Sequence, residues 1–221
     1  MGELLSQYNV LAAFWMNIKL TALAAVGSFV LGLLLALCRI SPVRSLQTFG
    51  AGYVNIVRNT PLTIIMVLGV LAVWSQLKIQ LAPGFELNFF LYAVLGLSVY
   101  HASFVCEAIR SGVNTVPIGQ AEAARAIGLP FLQAARLVIL PQALRGAITP
   151  LGNTLIALTK NSTVAAAASV AEVSGMMKEM MEFRPDVMGY IFLIVALGFC
   201  IIVIPIGVLT TWLSDRLAVA R

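Results

Sequence analysis

The chain has 221 residues, of which 60% are hydrophobic and only 10% are charged. A water-soluble domain carries about a quarter charged residues, so most of this chain is predicted to lie in lipid. Intrinsic disorder is excluded as well, because the hydrophobic content is too high. Three cysteines are too few for a disulfide scaffold, and a formal charge of +5 is too small for nucleic-acid binding.

Long gaps between charged residues predict the membrane spans. A hydrocarbon layer about 30 Å thick needs roughly 20 apolar residues of helix, and four gaps reach that length. A fifth gap is interrupted by Lys160. The predicted spans are Leu20–Cys38, Asn59–Leu77, Leu87–Cys106, Gly146–Ala171 and Val187–Ser214. Because these runs are continuously apolar and do not alternate with polar residues, they favour an all-α polytopic membrane protein with five transmembrane helices over a β-barrel.

The positive charges predict the orientation of these spans. With the N-terminus outside, nine of the fourteen Lys and Arg residues fall on the inner side, which is where short loops retain positive charge. The sequence therefore predicts an N-out/C-in topology. Residues 1–11 are the predicted extracellular N-terminus, 12–213 the transmembrane domain and 214–221 the cytoplasmic tail.

A polar segment separates the third and fourth spans. Strong helix formers at Ala121–Ala126, followed by Gly128, predict a short helix with a glycine stop. A second short helix is expected from Phe131 to about Leu140, where Pro141 would end it. Ala121, Ala124 and Gly128 share one face of the first helix. Composition alone leaves two interpretations: a hairpin that packs on the chain's own helices, or a surface on which another protein docks.

The spacing in this segment resembles a known motif. Glu122-Ala-Ala, then Gly128, then Val138-Ile-Leu-Pro141 resembles the EAA loop of bacterial ABC-importer permeases, with Val138 where the motif more usually has Ile. The resemblance implies that residues of about 112–140 dock on an ATP-binding subunit. The residues implied in this coupling are Gly119, Gln120, Glu122, Ala123, Ala124, Arg125 and Gly128.

Further segments resemble the polar amino-acid permeases. These segments are Val57–Leu62, in which Asn59 replaces the frequent Gly, Pro117–Ala124, Leu140–Leu144, Pro150–Asn153 and Lys160–Thr163. Within that subfamily, the segments Val57–Thr63, Asn153–Asn161 and Leu213–Val219 most resemble the glutamate-uptake permeases of high-GC Gram-positive bacteria. The resemblance implies a type I ABC-importer permease core in the bacterial cell membrane that transports glutamate, glutamine or another polar amino acid. It also implies a second permease subunit, often a paralogue, two ATPase subunits and an extracellular solute-binding protein.

ATP hydrolysis is expected on a partner subunit. The chain has no Gly-x-x-x-x-Gly-Lys phosphate loop, so ATP and magnesium are assigned to the partner, and no cofactor and no enzymatic activity are expected here. A secondary transporter or channel subunit that works without an ATPase is the alternative. It would be indicated by an inverted repeat, into which five unmatched spans do not divide.

The candidate pathway residues centre on Lys160. On a continuous helix Lys160 would lie roughly 22 Å beyond Arg145, past the bilayer midplane, where an ionisable group by default faces a cavity or a partner. The polar residues beside it are Asn161, Ser162 and Thr163, and the inner-face candidates are Arg58 and Thr60. Two alternatives remain open: Lys160 snorkels to the outer headgroups, and Arg58 only sets the topology.

The sequence supports four further local predictions. The segment 43–57 is expected to form an amphipathic interfacial helix, and Asn59 and Thr60 to cap the span that follows. Glu107 and Arg110 are expected to form an ion pair. His101, the only histidine, is expected to be buried, neutral and hydrogen-bonded.

Overall fold

A computed structural model describes residues 8–217, and within that range the chain forms helices and no strand. The α-helices are α1 Val10–Ile40, α2 Arg44–Arg58, α3 Leu62–Leu68, α4 Phe85–Val113, α5 Ile118–Ala126, α6 Phe131–Ala134, α7 Leu140–Gly146, α8 Ile148–Asn161, α9 Val173–Phe183 and α10 Met188–Leu217. Two segments are π-helical, Gly69–Gln76 and Ala135–Ile139. Two further segments are 3₁₀-helical, Ser162–Ala168 and Pro185–Val187. The all-α prediction is confirmed.

Helices α1 and α4 form the centre of the fold. They run in the same direction, with Gly27 against Ser98 and Gly32 against Val105. A Cβ atom on Gly32 would lie 2.6 Å from the Cβ of Val105, so the two backbones approach closely only because this residue has no side chain. Small residues at the contact of two apolar helices allow this approach where lipid supplies no hydrophobic driving force.

The remaining long elements alternate in direction around this pair. Met66 of α3 lies against Gly96 of α4 and the π-helical Gly69 lies near Tyr92, so this element runs antiparallel to α4. Gly112 of α4 meets Ala147, just before α8, and α8 in turn packs on α10 through Gly152 and Thr210. The chain therefore crosses the molecule in opposite directions in succession.

Not every predicted span is one long helix. Helix α1, helix α4 and the segment Pro185–Leu217 are long and apolar enough to cross a membrane. Helix α2 and the α3 segment Leu62–Gln76 are bent by 99° relative to each other and count as a fourth candidate when they are taken together. The expected continuous helix from Arg145 to beyond Lys160 is wrong, because a break at Ala147 separates α7 from α8 and the chain becomes 3₁₀-helical at Ser162.

The bend between α2 and α3 corrects the predicted cap. The Asn59 Nδ2 donates to the carbonyl of Asn55 and the Thr60 Oγ1 to that of Ile56, so both side chains close the end of α2. Neither caps α3, which follows Pro61 without a side-chain cap. Short polar side chains often return in this way to the preceding turn.

The polar segment after α4 has the predicted glycine stop but not the predicted proline stop. Gly128 adopts φ +79°, a left-handed conformation that favours glycine, directly after α5. The chain is then helical without interruption from Phe131 to Gly146. The π-helical turn Ala135–Ile139 precedes Pro141, and this wider turn accommodates a residue that lacks an amide hydrogen.

Candidate functional site

The outward face of α5 is the first candidate site. Ala124 is the one buried residue of this helix, at 3% exposure, and the other predicted coupling residues Gly119, Gln120, Glu122, Ala123 and Arg125 lie at its exposed surface. Large apolar side chains flank them, since Ile118 and Ile127 are each 76% exposed. A short helix that exposes apolar side chains beside unpaired charge is typical of a surface that another protein covers.

The face of α5 that is available differs from the predicted small-residue face. Ala124 turns inward and Ala121 is half-buried, so the chain itself covers these two residues of the predicted face and leaves Gly128 exposed. Glu122 forms no ion pair or hydrogen bond with any residue between 8 and 217, and its carboxylate is therefore free for a partner. A Cβ atom on Gly119 or Gly128 would meet no heavy atom within 4 Å.

A cavity between α4 and α8 is the second candidate site. Its volume is about 320 Å³, and its lining residues are Tyr100, His101, Phe104, Asn153, Thr154, Ala157 and Asn161. The guanidinium carbon of Arg58 lies 5.2 Å from the ring centroid of Phe104, which places a fixed positive charge beside the lining. Amide, hydroxyl and aromatic groups with a nearby cation suit a small polar ligand that carries a carboxylate.

His101 connects this cavity to the core. Its side chain is 1% exposed, and its Nε2 lies 3.2 Å from the Nδ2 of Asn161, which confirms the predicted buried and hydrogen-bonded histidine. The Nδ1 of the same ring is buried and has no hydrogen-bond partner among the described residues. One end of the imidazole is therefore satisfied by Asn161, and the other is free.

Comparison with known proteins identifies the family. The sequence model of the family described as "Binding-protein-dependent transport system inner membrane component" matches residues 28–219. The chain belongs to this permease family. A glutamate transport system permease protein of Corynebacterium glutamicum is 46% identical to the permease over 219 residues, which cover 96% of each chain. A probable glutamine ABC transporter permease of Bacillus subtilis is 32% identical over 92% of this chain and 91% of its own length.

Solved structures share the fold of the permease. A chain in the crystal structure of an amino acid ABC transporter with histidines superposes with a TM-score of 0.77 at 25% identity, covering 94% of this chain and 93% of that chain. A chain in the structure of inward-facing conformations of a methionine ABC transporter superposes with a TM-score of 0.73 at 22% identity, covering 95% of this chain and 96% of that chain. The permease is thus a membrane-embedded subunit of an ATP-driven amino-acid importer, with hydrolysis on a separate ATPase subunit, and importers of this kind also use a binding protein.

The predicted pathway residues of the permease do not all meet at the cavity. Asn161 lines it and Arg58 lies beside it. Lys160 is exposed, is not among the lining residues and forms no ion pair with the part of the chain that the structure describes. The hydroxyls of Thr60 and Thr163 donate to the carbonyls of Ile56 and Lys160, in the helical turn that precedes each threonine.

Ser162 belongs instead to a buried polar cluster that the sequence did not indicate. Its hydroxyl donates to the carbonyl of Thr159 and accepts from the Nδ2 of Asn17 on α1 at 2.8 Å. The Nδ2 of Asn17 also donates to the Oε2 of Glu172 at 3.0 Å. Burial raises the pKa of the Glu172 carboxyl above its ordinary value, because N–H donors replace only part of the water that an ionised carboxylate requires. The only signal for this cluster was an acidic residue at the end of an apolar run.

A separate polar contact joins α1 to α4 near the C-terminal ends of these two helices. The predicted pair of Glu107 and Arg110 is present, with an N–O distance of 3.3 Å. Arg39 of α1 also binds Glu107. Two arginines on different helices thus share the carboxylate of Glu107. This carboxylate forms the expected ion pair within α4 and also joins α4 to α1.

Proposed function

We propose that this permease is the membrane-spanning subunit of a glutamate importer and forms half of its translocation pathway. The observation that carries the proposal is the 46% identity to the Corynebacterium glutamicum glutamate permease over nearly the whole of both chains. Glutamine or another polar amino acid is the alternative substrate, since a probable glutamine permease is also similar over 92% of the chain. The subunit is multi-pass and resides in the bacterial cell membrane.

The proposed topology has five spans with the N-terminus outside. It is supported by the alternating directions of α1, the α3 segment, α4, α8 and α10, which each reverse the direction of the previous one. In this topology residues 1–11 are extracellular, 12–213 form the transmembrane domain and 214–221 are cytoplasmic. The described residues, 8–217, include the last part of the first segment and the first part of the third.

The exposed face of α5 is the proposed docking surface for the ATPase, within a coupling loop of about residues 112–140. The support is its exposure, its flanking apolar residues and the unpaired carboxylate of Glu122. ATP and magnesium would bind the ATPase subunits only, and this chain would need no cofactor of its own. Closure of the ATPase pair would then move α5 and, through it, the spans.

The cavity between α4 and α8 is the proposed amino-acid site of this subunit. Asn161, Asn153 and Thr154 would supply hydrogen bonds, and Arg58 a positive charge for a carboxylate. Lys160 and Thr163 do not line the cavity and are assigned to the pathway by their place in the chain beside Asn161. The full assembly is proposed to contain a second, paralogous permease subunit, two ATPase subunits and an extracellular solute-binding protein, because one subunit of this size encloses no complete pathway.

The decisive experiment is uptake of labelled glutamate by the reconstituted complex in proteoliposomes. Uptake should require ATP, the ATPase subunit and the binding protein, and unlabelled glutamate should compete better than glutamine, aspartate or histidine. Uptake by this chain alone, driven by an ion gradient, would establish the alternative of a secondary transporter or channel. Stronger competition by glutamine would reassign the substrate but leave the importer mechanism intact.

The docking surface is tested by charge reversal. Glu122→Lys should reduce ATP-dependent uptake and recovery of the ATPase with the permease by at least about tenfold, because like charges brought together at an interface cost several kcal/mol. Asp215→Lys is the matched control, since it reverses another exposed carboxylate near the inner end of α10. Ala123→Trp is a second test, and it is cleaner than Gly128→Trp because Gly128 has a positive φ that any side chain would strain.

A further inference from the structure

The buried cluster of Asn17, Ser162 and Glu172 connects three elements that are far apart in sequence. Asn17 lies on α1, Ser162 begins the 3₁₀ segment after α8, and Glu172 precedes α9. Asn17 uses both hydrogens of its amide here, one to Ser162 and one to Glu172, and its Oδ1 accepts from the backbone N of Val173 at 3.1 Å. One side chain thus fixes the relative position of all three elements.

Glu172 is the most unusual member of this cluster. It is 0% exposed and is the one charged residue that is buried within residues 8–217. No lysine or arginine in that range lies within ion-pair distance, and three N–H groups surround the carboxylate instead. A buried carboxylate that forms no ion pair is costly, which indicates a role that a neutral residue would not fill.

The length of the Glu172 side chain indicates that role. Its oxygens accept from the amides of Ser174 and Gly175 in the first turn of α9, which is the function of a helix cap. A shorter residue such as Asp or Ser is the usual cap. The extra methylene of Glu allows the same carboxylate to reach the amide of Asn17 as well. The carboxylate therefore caps α9 and orients Asn17 together.

Asn17 in turn acts on the end of α8. Ser162 directly follows Asn161, which lines the cavity and contacts His101. The Ser162 hydroxyl donates to the carbonyl of Thr159 and accepts the bond from Asn17, so it is held from both sides. These contacts fix the backbone at the point where α8 changes to a 3₁₀-helix, and with it the direction of the Asn161 side chain.

We propose that Glu172 and Asn17 are positioning residues for amino-acid binding. Neither touches the ligand; Glu172 orients Asn17, Asn17 holds Ser162, and Ser162 sets Asn161 in the cavity. This inference rests on the proposed function, in which that cavity binds the transported amino acid. It adds that the affinity of the cavity depends on residues that do not line it: Asn17 in the N-terminal half of α1 and Glu172 at the start of α9.

The test is equilibrium binding of radiolabelled glutamate to the purified permease–ATPase complex without the binding protein. Asn161→Ala should raise the Kd by at least about tenfold, which corresponds to one lost hydrogen bond. Asn17→Leu removes all three hydrogen bonds of the Asn17 amide and should raise the Kd by a similar factor. Glu172→Asp retains the cap of α9 but not the reach to Asn17, and it should also raise the Kd while the complex remains folded.

A double variant separates positioning from general stabilisation. If Asn17 acts through Asn161, Asn17→Leu should change the Kd less than twofold in the Asn161→Ala background. Thr21→Val is the control, because Thr21 lies one turn further along α1 and its buried hydroxyl has no partner among the described residues. This control should bind glutamate with unchanged Kd.

Each failure has a distinct meaning. The positioning role would be overturned if the double variant raised the Kd by the product of the factors for Asn17→Leu and Asn161→Ala. It would also be overturned if neither Asn17→Leu nor Glu172→Asp changed the Kd. Both results would leave the cavity assignment intact. An unchanged Kd for Asn161→Ala would contradict the cavity assignment itself, and the positioning inference would fall with it.

Discussion

Helices α4 and α10 have nearly the same length and nearly opposite surroundings. An 18-residue apolar window of α4 has a mean hydropathy of 1.7 and is 61% buried inside the protein, whereas the corresponding window within Pro185–Leu217 has a mean hydropathy of 3.0 and is 11% buried. The less hydrophobic helix is thus the more buried one. In a membrane the protein interior accepts polar groups when they are hydrogen-bonded, while lipid accepts almost none.

The polar residues of the two helices show how this works. Helix α4 buries Asn88, Ser98, His101 and Ser103, and both serine hydroxyls donate to carbonyls of their own helix. The Oδ1 of Asn88 accepts from the amides of Leu81 and Ala82, which organises the preceding loop. Helix α10 buries no polar side chain: its polar residues are Tyr190 near its start and those within Thr210–Arg216 near its end. The surface between them therefore suits lipid or another apolar subunit.

The largest difference between the two helices should appear on truncation of a leucine. Leu97 of α4 is 0% exposed, and Leu97→Ala should lower the free energy of unfolding by about 2–5 kcal/mol because it leaves a cavity in a packed core. Leu193 of α10 is 51% exposed, and Leu193→Ala should cost about 0.5 kcal/mol or less. Denaturant unfolding in mixed micelles measures both. Equal losses would show that α10 is as closely packed as α4.

A smaller difference is expected when a methyl group is added to a glycine. A Cβ atom on Gly112 of α4 would overlap the carbonyl oxygen of Ala143, so Gly112→Ala should destabilise the protein by about 1–3 kcal/mol. On α10 the nearest atom to such a Cβ at Gly207 is 3.7 Å away, and Gly207→Ala should be neutral or stabilise the helix. Thermal unfolding of the two variants side by side checks the contrast. A stable Gly112→Ala variant would contradict the close contact.

The smallest effect should come from the single polar link of α10. Within residues 8–217, the Thr149 and Ser214 hydroxyls, 2.9 Å apart, make the side-chain hydrogen bond that ties α10 to another helix. Ser214→Ala should cost about 0.6 kcal/mol, the average for such bonds in membranes. Asn88→Leu on α4 is the comparison and should cost more, because it leaves two loop amides without their acceptor. A larger loss for Ser214→Ala would show that α10 depends on polar contacts after all.

The fold followed from sequence wherever one rule dominated. Charge gaps located α1, α4 and α10, since twenty uncharged residues in lipid leave few alternatives to a helix. Sequence failed where two signals competed. Pro141 is a helix breaker by itself, but the π-helical turn before it allows the helix to continue, and Asn59 and Thr60 bond back to α2 although their sequence is that of a cap.

The candidate sites were predictable to different degrees. The coupling residues form a local motif, and all of them except Ala124 lie at the surface. The cavity combines residues from α4 and α8, which only the tertiary fold brings together. The sequence therefore indicates His101 and Asn161 separately but not as a pair. The Asn17 and Glu172 contact spans 155 positions and has no local pattern from which it could be inferred.

The glycine contacts near the C-terminal ends of α4 and α7 have a mechanical consequence. Gly112 faces the backbone of Ala143, and Gly146 faces Thr115 and Gly112, so main chain meets main chain with almost no side chain between them. Side chains can absorb a small displacement by changing rotamer, but two backbones in direct contact cannot. We therefore expect a displacement of α5 to be transmitted along the helix from Phe131 to Gly146 and to move α4 by a similar distance, because the contact between the two backbones is rigid.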